Sequence, residues 1–439
     1  MNETITKTLK EAMGKSNVID DNKTISKYLP PDKETENFVI VTPGSTEDVQ
    51  NIVKIADRNN MPVFTPDDGI ISSESTWGII IDFNRMNKIE FVDAPNLMAH
   101  IQRGVTFEQL KEELNKLNLK PAFPAGVFSD YVVPTYVRRT IMLSAQKFPE
   151  TQFSNLMVVL PDGSIHKTGS HALSEEIADW RDEPGPHISK WYHASGDIYG
   201  IITRASIVIY PNLEQRDAAV AGFTDMDHLL FAMKEISRKE LCIECIGMNR
   251  PYLKQLTGHD SKSSDWILLT GFESTKKHVE FQKRTCLEIV KKYNGSPIES
   301  LQHHLLHKLH EPWKILTHKQ TYFYTLYKFV PYFDNVIHSV LNTFNYPGEK
   351  VTRLFISYGN GRAIYCNYSF LTKKNFLDQM VEELNLKLLH EGAFFDNPEG
   401  KLAEALYSRT GNYLNMMKRI KIMVDPKNIL NPGYPVPLM

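Results

Sequence analysis

The chain has 439 residues, 42% hydrophobic and 23% charged, with 50 Lys plus Arg against 52 Asp plus Glu and a formal charge of -2. That length exceeds one compact core, and the even charge balance excludes the basic field that nucleic acid or an anionic membrane would require. No apolar run reaches membrane-spanning length, four cysteines cannot make a disulfide framework, and residues 1–21 lack a signal-peptide core, so a cytoplasmic protein is expected.

Residues 1–37 read as a short helix and a Pro30-Pro31 turn, an arm laid over the first domain. Phe38-Val39-Ile40-Val41 reads as a strand, and Ser45 caps a helix with Val49, Ile52, Val53 and Ala56 on one face. With Pro62-Val63-Phe64 these make a βαβ unit. A polar loop from Thr65 to Thr76 comes next, then strands at 78–82, 88–92 and 99–103. Thr106-x-x-Gln109 is a capping box for a helix carrying Phe107, Leu110 and Leu114. A twelve-residue polar loop between buried strands is costly to keep unless it binds something.

Beyond Asp162-Gly163, a hairpin turn, the middle of the chain alternates strands and helices. Ala218–Ala221 precedes a helix with Leu229, Met233 and Ile236, and Trp266–Leu269 precedes one with Val279, Cys286 and Val290. A strand at Tyr322–Tyr327, a hairpin of 351–357 with 362–370, and a helix with Met380, Leu384 and Leu388 complete an antiparallel sheet with helices on one face. Cys242-x-x-Cys245 lies on an alternating segment, which sets its thiols out of phase and makes them ordinary strand residues rather than a metal or redox pair. His303, His307 and His310 share a helical face; three imidazoles can ligate a metal, but the reading taken is a polar face with the leucines inward, and no metal site is assigned.

Several segments in order resemble the FAD-binding domain of the vanillyl-alcohol oxidase and p-cresol methylhydroxylase (PCMH-type) flavoproteins: Thr42-Pro43-x-Ser45-x-Glu47-Asp48-Val49, Ile81–Ile89, Gly104–Leu110, Val158–Gly163, Gly200–Ala205 and Val424–Gly433. The resemblance implies an α+β fold, with a PCMH-type FAD-binding domain at 1–213, a ferredoxin-like antiparallel-sheet cap at 214–395, and a C-terminal segment, 396–439, returning to complete the first domain. It implies non-covalent FAD, since no His or Cys stands in the 65–76 loop. The cofactor contacts it implies are Thr65, Pro66, Asp67, Asp68, Gly69, Ile70, Ser72, Arg138, Gly196, Gly200, Ile201 and Asn431. Tyr407 and Arg409 resemble a family Tyr-Arg pair that holds a phenolate or carboxylate beside the flavin.

Three cofactor-contacting segments depart from the family pattern. The first loop carries one glycine, Gly69, beside two acids, Asp67 and Asp68, and a carboxylate about 4 Å from a phosphate costs about 4 kcal/mol at an effective dielectric near 20. No glycine stands between Gly126 and Gly163, where Arg138 and Arg139 either neutralise a phosphate or face water. Family glycines three and six residues before Gly200 are Asp197 and Ala194 here. Two functions are expected in consequence. One is an FAD-linked oxidoreductase taking a hydride from a small hydroxylated, phenolic or carboxylate substrate, in an oligomer with a redox partner protein. The alternative is a flavin-free paralogue serving as a subunit or scaffold beside a flavin-bearing paralogue.

Overall fold

The computed structural model describes residues 3–30, 33–66, 75–125, 129–145, 152–173, 185–260, 264–302, 305, 319–370 and 376–436. Three sheets carry the fold. The first joins β1 (Val18–Ile19), β2 (Phe38–Val41), β3 (Val63–Phe64) and β4 (Gly78–Ile81) in the order β1-β2-β4-β3, with β2, β4 and β3 parallel. Its crossover helix, Thr46–Arg58, starts at Ser45, whose hydroxyl accepts from the Asp48 N–H at 3.1 Å. Val49, Ile52, Val53 and Ala56 are fully buried against the sheet, each branched side chain stabilising by about 1.5–3 kcal/mol. The N-terminal arm is integral here: Ile5, Leu9 and Met13 of helix Glu3–Met13 lie in the same core, and β1 extends the sheet.

The second sheet is antiparallel: β5 (Ile89–Asp93), β6 (Met98–Gln102), β7 (Leu119–Pro121), β8 (Phe153–Val159), β9 (Ile165–Lys167) and β10 (Ile201–Pro211). Its order is β5-β6-β10-β8-β9, with β7 also pairing β10. The Thr106–Gln109 capping box is formed and starts helix Phe107–Asn115. Val132–Val137 is a helix with every residue buried, anchored by Tyr136, whose hydroxyl donates to the Ala122 carbonyl at 2.7 Å. Tertiary burial overrides a β-branched, proline-bearing sequence there.

The third sheet has seven antiparallel strands, β11 (Gln215–Phe223), β12 (Glu244–Asn249), β13 (Trp266–Ser274), β14 (Ser296–Pro297), β15 (Lys319–Thr325), β16 (Val351–Tyr358) and β17 (Ala363–Phe370), ordered β14-β11-β13-β12-β16-β17-β15. One face packs on helices Met226–Arg238, Lys276–Lys292, Val330–Thr343 and Leu377–His390. The other meets Phe123, Ile141 and Leu143 of the N-terminal half. Strand alternation thus sorts the aromatic residues: Phe323 and Tyr368 face the helices, whereas Tyr322, Tyr324 and Tyr365 face the N-terminal half. Tyr327, in the turn after β15, also lies in the helix-side core.

The cysteine reading needs correction. β12 begins at Glu244, so Cys242 sits in the turn before it, and both thiols lie in the helix-side core, within hydrogen-bonding reach of each other. They are buried rather than split across the sheet.

The chain ends where it began. The Val63 N–H donates to the Ile429 carbonyl (2.7 Å) and the Asn431 N–H to the Val63 carbonyl (2.8 Å), a parallel bridge that lays 429–431 beside β3. Lys421 locks this return. It is 1% exposed, and its ammonium donates to Asp425 (2.6 Å), the Leu430 carbonyl (2.7 Å) and the Ile198 carbonyl (2.9 Å).

Candidate active site

Where β3 gives way to the polar loop, residues from distant parts of the chain meet. The Thr65 N–H donates to Asn431 Oδ1 (3.1 Å), Asn431 Nδ2 donates to Thr65 Oγ (2.9 Å) and to the Gly196 carbonyl (2.6 Å), and Thr65 Oγ donates to Asp197 (2.7 Å). This network forms the floor where the first two sheets meet. Gly200 closes the 196–200 turn, its N–H donating to the Asp197 carbonyl (3.3 Å), and Ile201, fully buried, starts β10. Pro66, half-buried, follows Thr65. Asp67, Asp68, Gly69, Ile70 and Ser72 lie outside the described residues, as do His303, His307 and His310.

Asp197 carries a buried charge, and the sequence reading missed what balances it. Arg103, immediately after β6, meets it at 2.5 Å, with side-chain exposures of 3% and 4%. The guanidinium also donates to the Ile202 carbonyl (3.0 Å) and rests 4.4 Å from the Phe83 ring centre. A buried pair of this kind is maintained because each partner alone would be a naked charge. The signal was visible only as an arginine at a strand end, with nothing in its spacing to name Asp197.

The altered glycine positions keep a glycine-like backbone. Ala194 (φ 51°), Gly196 (φ 57°) and Asp197 (φ 57°) are all left-handed, a conformation costing an ordinary residue roughly 1–2 kcal/mol. A Cβ at Gly196 would fall 2.3 Å from the Tyr434 ring, so glycine is required there for the C-terminal segment to close. The backbone route is therefore preserved while the side chains differ. Asp197, neutralised by Arg103, presents no uncompensated negative charge to an anionic, pyrophosphate-bearing group, and Thr65, Gly196 and Asn431 are the residues beside which such a group would lie.

The expected Tyr-Arg pair is not brought together. Tyr407 is the last residue of helix Gly400–Tyr407 and Arg409 lies two positions on; such positions do not share a helical face. Tyr407 packs against the second sheet's core and stacks on Tyr413 (6.3 Å, 3°), and burial pushes its hydroxyl up to about 12. Arg409 is exposed and donates to the Leu389 carbonyl (3.4 Å). Arg138 bonds Glu399 through its guanidinium, and its carbonyl accepts from Asn397 (2.8 Å).

A different aromatic wall faces the N-terminal half. Tyr324 lies 5.2 Å from Tyr365 and 5.4 Å from Tyr358, edge to face, and Tyr322 lies 6.0 Å from Tyr365. Burial pushes the Tyr322 and Tyr365 hydroxyls well above the ordinary tyrosine value, with Arg138 drawing Tyr322 partly back and Asp396 near both. These phenols stay protonated at neutral pH. Lys120 bonds Glu273 and the Ser144 hydroxyl donates to Glu244 (3.2 Å), tying the third sheet to the N-terminal half, while Arg216, within the sheet, also donates to Glu244 (3.2 Å). Among the described residues no group of His, Cys, Asp and Glu could hold a metal, and no helix is long and apolar enough to cross a membrane.

Residues 38–169 match the family described as FAD binding domain, and residues 400–434 match FAD linked oxidases, C-terminal domain. The chain is 26% identical over 216 residues to a D-lactate dehydrogenase of Archaeoglobus fulgidus, covering 48% of this chain and 47% of that protein. It is 23% identical to the mitochondrial cytochrome-linked D-lactate dehydrogenase of Arabidopsis thaliana, over 91% of this chain and 73% of that one. An uncharacterized FAD-linked oxidoreductase of Mycobacterium tuberculosis is 25% identical over 44% of this chain, and the match spans 42% of its length, less than half. Among solved structures, 4-ethylphenol oxidase from Gulosibacter chungangensis superposes with a TM-score of 0.83 at 18% identity, covering 99% of this chain and 97% of that one. p-Cresol methylhydroxylase superposes equally well, 0.83 at 17% identity, with the same coverage of both chains. The fold is thus PCMH-type, and the two matched segments touch where 429–431 lies beside β3.

Proposed function

We propose that this chain, an FAD-linked oxidoreductase by the two domains it carries, holds FAD without a covalent bond above the Thr65–Gly196–Asn431 floor and oxidises a small phenolic or 2-hydroxy-acid substrate against the tyrosine wall. FAD bound there supplies the two-electron acceptor. The observation that carries the proposal is the meeting of Thr65, Gly196 and Asn431 from three distant parts of the chain, with the third sheet presenting Tyr322, Tyr324, Tyr358 and Tyr365 towards the N-terminal half of the molecule.

The wall suits a flat ring, since edge-to-face tyrosines leave room for offset stacking, worth about 0.5–1.5 kcal/mol per pair. Tyr322 and Tyr365, held protonated by burial, donate hydrogen bonds to a substrate oxygen rather than remove its proton. Arg138, beside Glu399, places a cation near Tyr322 for a phenolate or carboxylate. Tyr407 and Arg409 have support roles in this reading, at the second core and at the helix Leu377–His390. A cytoplasmic location, a partner protein that accepts the electrons and an oligomeric assembly complete the proposal.

The test is anaerobic mixing of the FAD-loaded chain with a panel of alkylphenols and 2-hydroxy acids, following the bleaching of flavin absorbance. Reduction by one class and not the other identifies the substrate. Failure of both with FAD in place would refute the oxidation. A flavin-free subunit is the second reading, favoured by Ala194 and Asp197 in left-handed positions where glycine would be unstrained.

A further inference from the structure

We propose that Cys242 and Cys245 form a redox-modification site, a dithiol that a small-molecule disulfide oxidises to an intramolecular bridge inside the folded chain. Their spacing alone argues otherwise. β12 runs from Glu244 to Asn249, and alternation along it sends Cys245 into the helix-side core and Ile246 and Met248 towards the N-terminal half. A strand continued backwards would place Cys242 on the face of Ile246. The chain bends at Ile243 instead, and Cys242 joins Cys245 in the helix-side core.

Two anchors hold the bend. The Ile243 N–H donates to the Gly271 carbonyl (2.9 Å), which fixes the start of β12 against β13. Just before it, the end of helix Met226–Arg238 turns the chain back on itself. The Lys239, Glu240 and Leu241 N–H groups donate to the Glu235 (3.2 Å), Ser237 (3.1 Å) and Ile236 (3.3 Å) carbonyls, and Glu240 is left-handed (φ 52°). Cys242 therefore enters the core directly from this turn, while the Cys245 Sγ lies 3.7 Å from the Met233 carbonyl of the same helix. Exposures of 5% and 1% leave the two thiols little to meet but the core and each other, and they lie within hydrogen-bonding reach. All four cysteines of the chain are free and buried; Cys286, in the same core, is the competing partner for Cys245.

Closing the bridge brings sulfurs already in contact to about 2 Å. Cys242 gives up its proton and its sulfur attacks one sulfur of the oxidant, breaking that S–S bond and releasing one thiol. Cys245 then loses its proton and attacks the Cys242 sulfur, releasing the second thiol as the internal S–S bond forms. The chain loses two electrons and two protons, and the oxidant gains both. The Cys245 hydrogen bond, and then burial, holds the Cys242 thiol well above its ordinary value, so little thiolate is present and exchange is slow. It proceeds through opening of the turn 239–243, where Lys239 and Glu240 are exposed. Such a pair follows the thiol–disulfide balance around it and is no rapid peroxide sensor.

The experiment equilibrates the full chain in glutathione buffers of graded oxidation, folded and in denaturing urea, then quenches with acid, alkylates the free thiols and maps the peptides. Expected in the folded chain is a Cys242–Cys245 bridge, with two of the four thiols lost. It should form at a glutathione disulfide level lower by about tenfold or more than in urea, because the fold holds the sulfurs together. Cys286→Ser should keep the bridge; if that variant does not fold, the peptide map of the unsubstituted chain decides the pairing. Four free thiols throughout the series would overturn the proposal, as would a Cys245–Cys286 bridge or a Cys242–Cys245 bridge that forms no more readily folded than in urea. None of these outcomes depends on flavin or on whether the chain oxidises a substrate.

Discussion

Replacing Arg103 by Met removes the cation that neutralises Asp197 while keeping the apolar stem over Phe83. The pair is 2.5 Å apart, with both side chains under 5% exposed, so the loss is close to that of a fully desolvated partner, about 3–5 kcal/mol. Asp197 retains the Thr65 hydroxyl and a 3.4 Å contact from the Ile202 N–H, which places the expected loss near the lower end, about 3 kcal/mol. Asp197→Asn preserves the left-handed backbone, which Asn tolerates, but strands the guanidinium, and costs about as much. The double substitution removes both charges and should cost at least about 2 kcal/mol less than the sum of the singles. Chemical denaturation of the four proteins measures the cycle, and FAD affinity of each tests the link to the floor. Single losses under about 1 kcal/mol, or additivity within about 0.5 kcal/mol, would show that the pair does not organise the turn.

Further outcomes are expected elsewhere. Lys421→Met leaves Asp425 buried with the Ile429 and Leu430 N–H groups as its remaining donors among the described residues, and should cost about 3–5 kcal/mol and release the 425–436 segment to protease; an unchanged digestion pattern argues against the lock. Gly196→Ala forces a Cβ towards the Tyr434 ring and should cost about 1–3 kcal/mol and weaken FAD, read by denaturation and flavin titration. At Glu273 desolvation raises the carboxyl, but the Lys120 hydrogen bond and charge outweigh it and the folded value is lowered. The unfolded chain therefore protonates first. Glu273 contributes stability above the ordinary glutamate value of about 4.3, and that contribution fades as pH falls through the lower folded value. Acid melts of the chain and of Glu273→Gln should differ in that window, and identical acid profiles would remove the pair from the interface.

Local signals carried much of the fold. The Ser45 and Thr106 caps, the βαβ unit and the Asp162-Gly163 turn depend on neighbours in sequence, and each was legible. The helix Val132–Val137 was not, because its stability comes from burial around Tyr136 against residues that its own sequence cannot announce. The Cys242–Cys245 reading failed by the start of one strand, which moved one thiol from the expected face into the core. Thr65, Gly196 and Asn431, expected through the resemblance to contact FAD, do meet beside β3. Arg103, the partner of Asp197, could not be named in advance, since their meeting depends on how the second sheet folds over the first. Tyr322, Tyr324 and Tyr365 were legible as aromatic candidates, but only the sheet's alternation separated them from Phe323, Tyr327 and Tyr368.

The most direct test is the flavin content of the chain purified from its own cells and, in parallel, after incubation with excess FAD. One FAD per chain, released intact on denaturation, is the predicted result. A colourless chain that takes up no FAD in either preparation would contradict the assignment of FAD to the residues around Thr65, Gly196 and Asn431.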